Sequence, residues 1–444
     1  MLKKRWLMML VLIISLSTGC DKQFYTIHQD HSKVETFSQQ PKKEVINKEN
    51  SKKDTTIREK SVKKEIKEVT IAAVGDIIFH KWQLWRGYDA ATDSFDFTDT
   101  FQYIQKYLHE ADYVIGNLET TLAGKDNGRI LRPENAYKGY VGFPCFNTPE
   151  ILAKNMKDAG FDMVSTANNH ALDSHPEGAI QTLDYLDEQG IDHVGTYRSQ
   201  EEADTLFRKT INGIDFAFLS YTYGTNGFEV PADQPYLINT LDMYNEVKIQ
   251  AMLDKVREAR ESGTDFVIVS IHFGNEYFNY PNVHQKNLAD RLFEAGADVI
   301  LGSHPHVLQP FEIRDIVNDD GDTRKGLVIY SLGNFISSQR YTKPYPSQTD
   351  IGVIFEMTFK KIEHHKPQFT GISFMPTCTF RDPEKLTILP VDEVLNHVSD
   401  FDIELGDYSR GRLTFTQDYA YQHLLSYTTA SYNYKDYRYS IAFH

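Results

Sequence analysis

Val299-Ile300-Leu301-Gly302-Ser303-His304-Pro305-His306 opens as a short apolar, β-branched run, stops at a glycine, and gives way to two histidines one residue apart. The run from 299 to 301 reads as a buried strand. In an extended segment alternate side chains share a face, so both imidazoles reach one small volume past the strand's carboxyl end. The competing reading is a turn with two surface histidines, and the rest of the chain bears on the choice.

The same order of strand, glycine and polar block recurs on either side. A run near 69–74 is followed by Gly75-Asp76, one near 113–115 by Gly116-Asn117-Leu118-Glu119, and one near 163–166 by Asn168-Asn169-His170. Further on, 266–271 leads into His272-Phe273-Gly274, and 327–330 into Ser331-Leu332-Gly333-Asn334. A strand is also expected at 216–220. Helical spacing fills 149–159, 177–189 and 241–262, each closed by a glycine suited to a left-handed C-terminal cap: Gly160, Gly190 and Gly263. Alternating strands and helices predict an α/β fold. Ligands of open α/β sheets bind beyond the carboxyl ends of the strands, where these polar blocks fall, so one shared rim is expected.

The residue types suit metal chemistry. A pair of divalent ions needs carboxylates to neutralise charge, imidazoles to bind borderline metals and one bridging group. Singly each block is ambiguous: Asp76 also suits a helix cap, Asn168-Asn169 a turn, and His272 a core histidine. In order, they resemble the five-block signature of calcineurin-like metallophosphoesterases. The wording of Gly75-Asp76-Ile77-Ile78, Gly116-Asn117-Leu118-Glu119, Ala167-Asn168-Asn169-His170, His272-Phe273-Gly274-Asn275-Glu276-Tyr277, Gly302-Ser303-His304-Pro305-His306 and Ser331-Leu332-Gly333-Asn334-Phe335 resembles the CapA family, linked to poly-γ-glutamate capsule synthesis. The resemblance runs from about 69 to 391 and takes in Pro376-Thr377 and Leu389-Pro390-Val391.

That resemblance implies a layered β-sheet core with flanking helices and a site for two divalent ions, manganese, iron or zinc. Asp76 and His306 would hold one ion, Asn169, His272 and His304 the other, with Glu119 between them. His170 would serve as general acid or hydrogen-bond a phosphoryl oxygen, oriented by Asp173. Glu276, Asn334 and Asn168 would contact substrate or brace the ligands. Two departures from the wider superfamily stand out. Its first block is Asp-x-His, whereas the histidine after Asp76 is His80, and its bridging aspartate is Glu119 here.

The N-terminus reads as an address. Lys3, Lys4 and Arg5 precede an apolar run from 6 to 16, and Ser17-Thr18-Gly19-Cys20 resembles a bacterial lipobox, with Ser17 where an aliphatic residue is usual. Residues 1–20 are therefore expected to be a lipoprotein signal peptide with lipidation at Cys20, placing the protein outside the cytoplasm on the membrane. Residues 21–67, rich in Lys, Glu, Gln, Ser and Thr, are expected to be a disordered tether. Residues 68–392 form the expected CapA-like domain, and 393–444 a tyrosine-rich appendage that packs on it or offers an aromatic platform to a polymer.

Composition closes off other classes. A net charge of −15 disfavours nucleic acid as a partner. No Walker loop, Gly-x-Ser-x-Gly elbow or Cys-x-x-Cys pair is present, which removes ATP-driven ligation, serine hydrolysis and thiol redox chemistry. Whether Cys145 and Cys378 pair is left open by sequence. Three functions remain: a surface lipoprotein supporting synthesis, export or retention of an anionic polymer such as poly-γ-glutamate beside membrane capsule-synthesis proteins, an extracellular metal-dependent phosphoesterase, and a non-catalytic polymer-binding module.

Overall fold

The computed structural model describes residues 65–318, 321–339, 348–381 and 386–443. The expected signal peptide, Cys20 and nearly all of the expected tether lie outside the described residues. The last three residues of that tether do not: the first strand, Ile66–Ile77, begins inside the stretch assigned to it.

Two sheets face each other. The larger has ten strands, in the order Asn433–Lys435, Arg438–Ala442, Gln368–Arg381, Ile351–Ile362, Ile66–Ile77, Tyr113–Leu118, Met163–Ser165, Asp192–Val194. Asn334–Ile336 also pairs with Ile66–Ile77, and Leu386–Pro390 with Gln368–Arg381. The second sheet has six strands, in the order Leu308–Val317, Thr323–Leu332, Val299–Ser303, Phe266–His272, Ile214–Thr222, Phe207–Ile211.

Strand periodicity explains the layering. Along the first strand Val69, Ile71 and Ala73 point between the sheets, where they meet a cluster containing Phe216, Ile268, Leu301 and Ile329. Ala72 and Val74 point the other way, into a cluster with Leu152 and Met156 of the helix Ile151–Ala159 and Leu183 and Leu186 of His175–Glu188. A strand buried on both faces reads as a continuous apolar run, which is why the sequence shows one here. On the far side, Val267, Val269 and Ile271 pack under the helices Glu246–Glu261 and Val283–Ala295. The layers are thus helix, sheet, sheet, helix, each fully buried Val, Leu or Ile contributing about 1.5–3 kcal/mol.

All seven expected strands and three expected helices form, with shifted ends. The helix expected over 241–262 starts only at Glu246, because Asn245 caps it: its side-chain oxygen accepts from the backbone N–H of Val247 at 3.1 Å and Lys248 at 3.3 Å. Gly160 closes its helix at φ 107°, as the left-handed cap requires.

The C-terminal stretch packs against the larger sheet and the core between the sheets. The described residues fall in one compact unit. The helix Asp407–Leu424 places Ala420 and Leu424 in the cluster between the sheets, and Arg438–Ala442 runs antiparallel to Gln368–Arg381. Two of its aromatic side chains join that packing, Tyr439 stacking on Phe374 at 5.2 Å and Phe443 meeting Phe369 at 4.9 Å, while Tyr408, Phe415, Tyr432 and Tyr434 stay exposed. Cys145 and Cys378 are both buried free thiols. Among the described residues no helix is long and apolar enough to cross a membrane.

Candidate metal centre

The expected rim belongs to both sheets. Asp76, Glu119, Asn169 and Asn334 come from strand ends of the larger sheet, and His272, His304 and His306 from those of the smaller one. Glycines permit the convergence. A Cβ on Gly75 would lie 1.9 Å from the Gly333 carbonyl oxygen, and one on Gly302 would lie 2.1 Å from that of Tyr330. The first close approach lets the backbone N–H of Asp76 donate to Gly333 O at 2.9 Å and sets Asp76 opposite Asn334 and Asn117.

The His304-Pro305-His306 segment corrects one expectation. The strand ends at Ser303, and His304 and His306 adopt φ of 97° and 57°. Their rings converge, with centroids 6.0 Å apart, through two left-handed residues and not through strand alternation. Holding non-glycine residues there costs roughly 1–3 kcal/mol each.

Asp76, fully buried, takes a hydrogen bond from Asn117 Nδ2 at 2.8 Å through Oδ1, while its Oδ2 lies 3.1 Å from His306 Nδ1. Asn334 Oδ1 lies 3.1 Å from the same nitrogen, and its amide group donates to Thr349 O at 2.8 Å and Gln339 Oε1 at 3.0 Å. His272 has Nδ1 3.0 Å from Ser303 Oγ and Nε2 2.8 Å from Asn169 Oδ1. Glu119 lies between these groups. Its Oε1 is 3.5 Å from His272 Nε2, 3.8 Å from His306 Nε2 and 3.9 Å from His170 Nε2.

Two donor groups, Glu119 with His304 and His306, and Asp76 with Glu119 and His272, each have ligand atoms within 4.8 Å of one another. They share Glu119, the residue the resemblance sets between two ions. They divide the histidines differently from the implied assignment, since His304 groups with His306 and His272 with Asp76.

The electrostatics describe a site short of positive charge. Burial and the neighbouring Asp76 push the Glu119 carboxyl well above its ordinary range, against the pull of His306 and His170. Asp76 is desolvated too, yet the hydrogen bond and charge of His306, with the charge of His272, hold it below its ordinary value. Burial drives His272 down to about 3 and His304 well below its usual value. His306 is the exception: burial works against its charge, but Glu119 and Asp76 outweigh it and push it up to about 9. Glu119 Oε1 and His304 Nδ1 are buried without a hydrogen-bond partner. Orphaned buried acceptors are costly unless something electropositive meets them. A divalent cation fits this set of carboxylate oxygens and imidazole nitrogens.

Beside the cluster, His170 Nδ1 lies 2.7 Å from Asp173 Oδ2, which also accepts from the backbone N–H of Phe146 at 2.5 Å. Burial opposes a charge on His170, but Asp173 and Glu119 raise its pKa above the usual value. Burial also raises Asp173, despite His170. Asn168 braces the turn: its Oδ1 accepts from the His170 backbone N–H at 3.1 Å and its Nδ2 donates to Leu118 O at 2.7 Å. Glu276 is exposed on the rim, its charge felt at Glu119, His272 and His306. His80 precedes the helix Lys81–Arg86, edge-on to Phe146 at 5.0 Å, and joins neither donor group.

Sequence reading passed over several neighbours. Asn117 stands inside a quoted block yet received no role; its Nδ2 lies 3.3 Å from His272 Nδ1 as well as bonding Asp76. Tyr223, whose ring centre is 4.5 Å from that of His304, and Asn226 follow the strand Ile214–Thr222. The strand-end rule that found the other blocks applied equally there.

Fold and site together define a two-sheet α/β protein with a buried carboxylate–imidazole cluster suited to divalent cations. The model of the family described as "Bacterial capsule synthesis protein PGA_cap" matches residues 70–339, and the chain belongs to that family. It is similar to "Capsule biosynthesis protein CapA" of Bacillus anthracis, at 28% identity over 63% of this chain and 62% of the relative. It is also similar to "PGA biosynthesis protein CapA" of Bacillus subtilis (strain 168), at 30% identity over 61% of this chain and 63% of the relative. In both cases the match spans less than two thirds of the relative's length. With the solved structure of TT1561 of Thermus thermophilus the chain shares 8% identity over 64% of its length and 93% of that chain's, at a TM-score of 0.32, a likeness too loose to bear on function.

Proposed function

We propose that the protein supports synthesis, export or retention of an anionic capsule polymer, poly-γ-glutamate, at the cell surface, through a divalent-metal site centred on Glu119, and that a lipid on Cys20 anchors it to the membrane. One observation carries the reading: the family match over 70–339 contains every residue of the cluster, from Asp76 to Asn334. Asp76, Glu119, Asn169, His272, His304 and His306 would hold divalent cations, which would supply Lewis acidity toward carboxylate or phosphoryl oxygens. The protein's own contribution lies in His170. With Nδ1 tied to Asp173, it turns Nε2 toward the Glu119 side and can hold a proton there for an anionic oxygen. Low exposure of the ligands excludes bulk water from these contacts and strengthens them.

Deleting the gene tests this reading. The expected result is a loss of cell-attached polymer, restored by the wild-type gene and not by His306→Ala. Unchanged polymer quantity and attachment in the deletion strain reject it.

The His170–Asp173 pair favours a second reading, an extracellular metal-dependent phosphoesterase. Purified protein loaded with manganese, iron or zinc should then cleave an aryl phosphate monoester or diester, and no turnover with any of them dismisses it.

A further inference from the structure

An asparagine serves a cation only through its amide oxygen, yet the oxygen and nitrogen ends of the group are nearly the same size. What orients Asn169 is therefore the partner at its outer end. Its Oδ1 points into the cluster, 2.8 Å from His272 Nε2, and its Nδ2 donates to Asn226 Oδ1 at 3.1 Å. Asn226 stands at the rim in the turn after Ile214–Thr222, with φ 50°, a left-handed conformation that asparagine tolerates. Its amide nitrogen lies 3.5 Å from both ring nitrogens of His170. One exposed side chain thus touches a cation donor and the histidine beside the cluster, while Thr222 Oγ1 steadies the turn by donating to Gly224 O at 3.0 Å.

We propose that Asn226 is a positioning residue that fixes the Asn169 amide with its oxygen toward the cation and so sets cation affinity. This rests on the metal-site reading above. Without the Asn226 acceptor, the Asn169 amide loses one of its outer partners, Tyr223 being another, and turns its nitrogen inward more readily, where it repels a cation. Loss of a partner that orients a metal ligand typically weakens metal affinity about 10–100-fold.

The test titrates metal-free full-length protein with Mn²⁺ by calorimetry, using two variants. Asn226→Gly removes the side chain and keeps the left-handed turn unstrained. Asn226→Asp keeps the acceptor facing Asn169. The expected result is binding about tenfold weaker in Asn226→Gly, at the low end of that range because the position is open to water, and wild-type or tighter binding in Asn226→Asp. Wild-type affinity in Asn226→Gly, or equal weakening in both variants, overturns the proposal while leaving the metal site standing. No binding of Mn²⁺, or of Zn²⁺ or Fe²⁺ in its place, by the wild type overturns the metal site itself, and the role of Asn226 with it.

Discussion

Replacing Glu119 by glutamine should have opposite effects on the metal-free and metal-loaded protein. The carboxylate is fully buried, Oε1 has no hydrogen-bond partner, and the contact at Oε2 is a long one, 3.5 Å from Asn117 Nδ2. Burial and, after it, Asp76 raise its pKa, so the charged form is disfavoured where it stands. An unsatisfied buried polar group costs about 1–3 kcal/mol, and the neutral isostere should recover a share of that in the metal-free protein. The loaded protein should behave oppositely. A ligand at about a hundred times its dissociation constant stabilises the folded state by about 2.7 kcal/mol, and a variant lacking the shared carboxylate should lose nearly all of it. The assay is urea unfolding of wild type and Glu119→Gln, each in chelator and in excess Mn²⁺. The reasoning predicts that the variant is at least as stable as wild type in chelator and unresponsive to Mn²⁺. A variant clearly less stable in chelator, or one that keeps the full Mn²⁺ response, refutes it.

Other expectations follow from the same geometry. Gly302→Ala would set a Cβ 2.1 Å from the Tyr330 carbonyl oxygen, inside a strand with no room to yield, and should cost about 1–3 kcal/mol or more, read as a lowered denaturation midpoint. His306 stands at about 9, so below that pH a cation must displace its proton. Mn²⁺ affinity should therefore climb about tenfold per pH unit as pH rises toward that value and then level off, and a flat profile would show that His306 is no ligand. In metal-free protein the same raised pKa favours folding fully below the unfolded histidine value and loses that contribution as pH rises through about 9. His170→Asn should spare Mn²⁺ binding while removing whatever phosphoester turnover the wild type shows, as paired titration and rate measurements would reveal.

The strands facing both ways were the most legible part of the sequence, because a run such as Val69 to Val74 stays apolar when sister sheet and helices cover its two faces. Asp76, Glu119, Asn169, His272, His304 and His306 were legible for a related reason: each follows such a run, next to a glycine or another polar residue. That they would meet across two sheets was not, since nothing local to a strand says which sheet it joins. The long strands Ile351–Ile362 and Gln368–Arg381 went unread although Val353, Phe355, Met357 and Phe359 alternate along the first of them. The left-handed backbone at His304 and His306 is set by tertiary closure of the cluster, and the local sequence predicts extended chain there instead. What the tyrosine-rich tail packs on was not legible locally, because its partner strand, Gln368–Arg381, lies far back along the chain from Arg438–Ala442.

Metal content measured by elemental analysis on the purified wild type beside His304→Ala and His306→Ala, each dialysed against the same divalent ions and then against buffer alone, tests the central claim most directly. Stoichiometric retention by the wild type and its collapse in both variants is the predicted result. A wild type that retains no divalent ion, or variants that retain as much as the wild type, would contradict the claim that these distant stretches of chain fold into a metal centre.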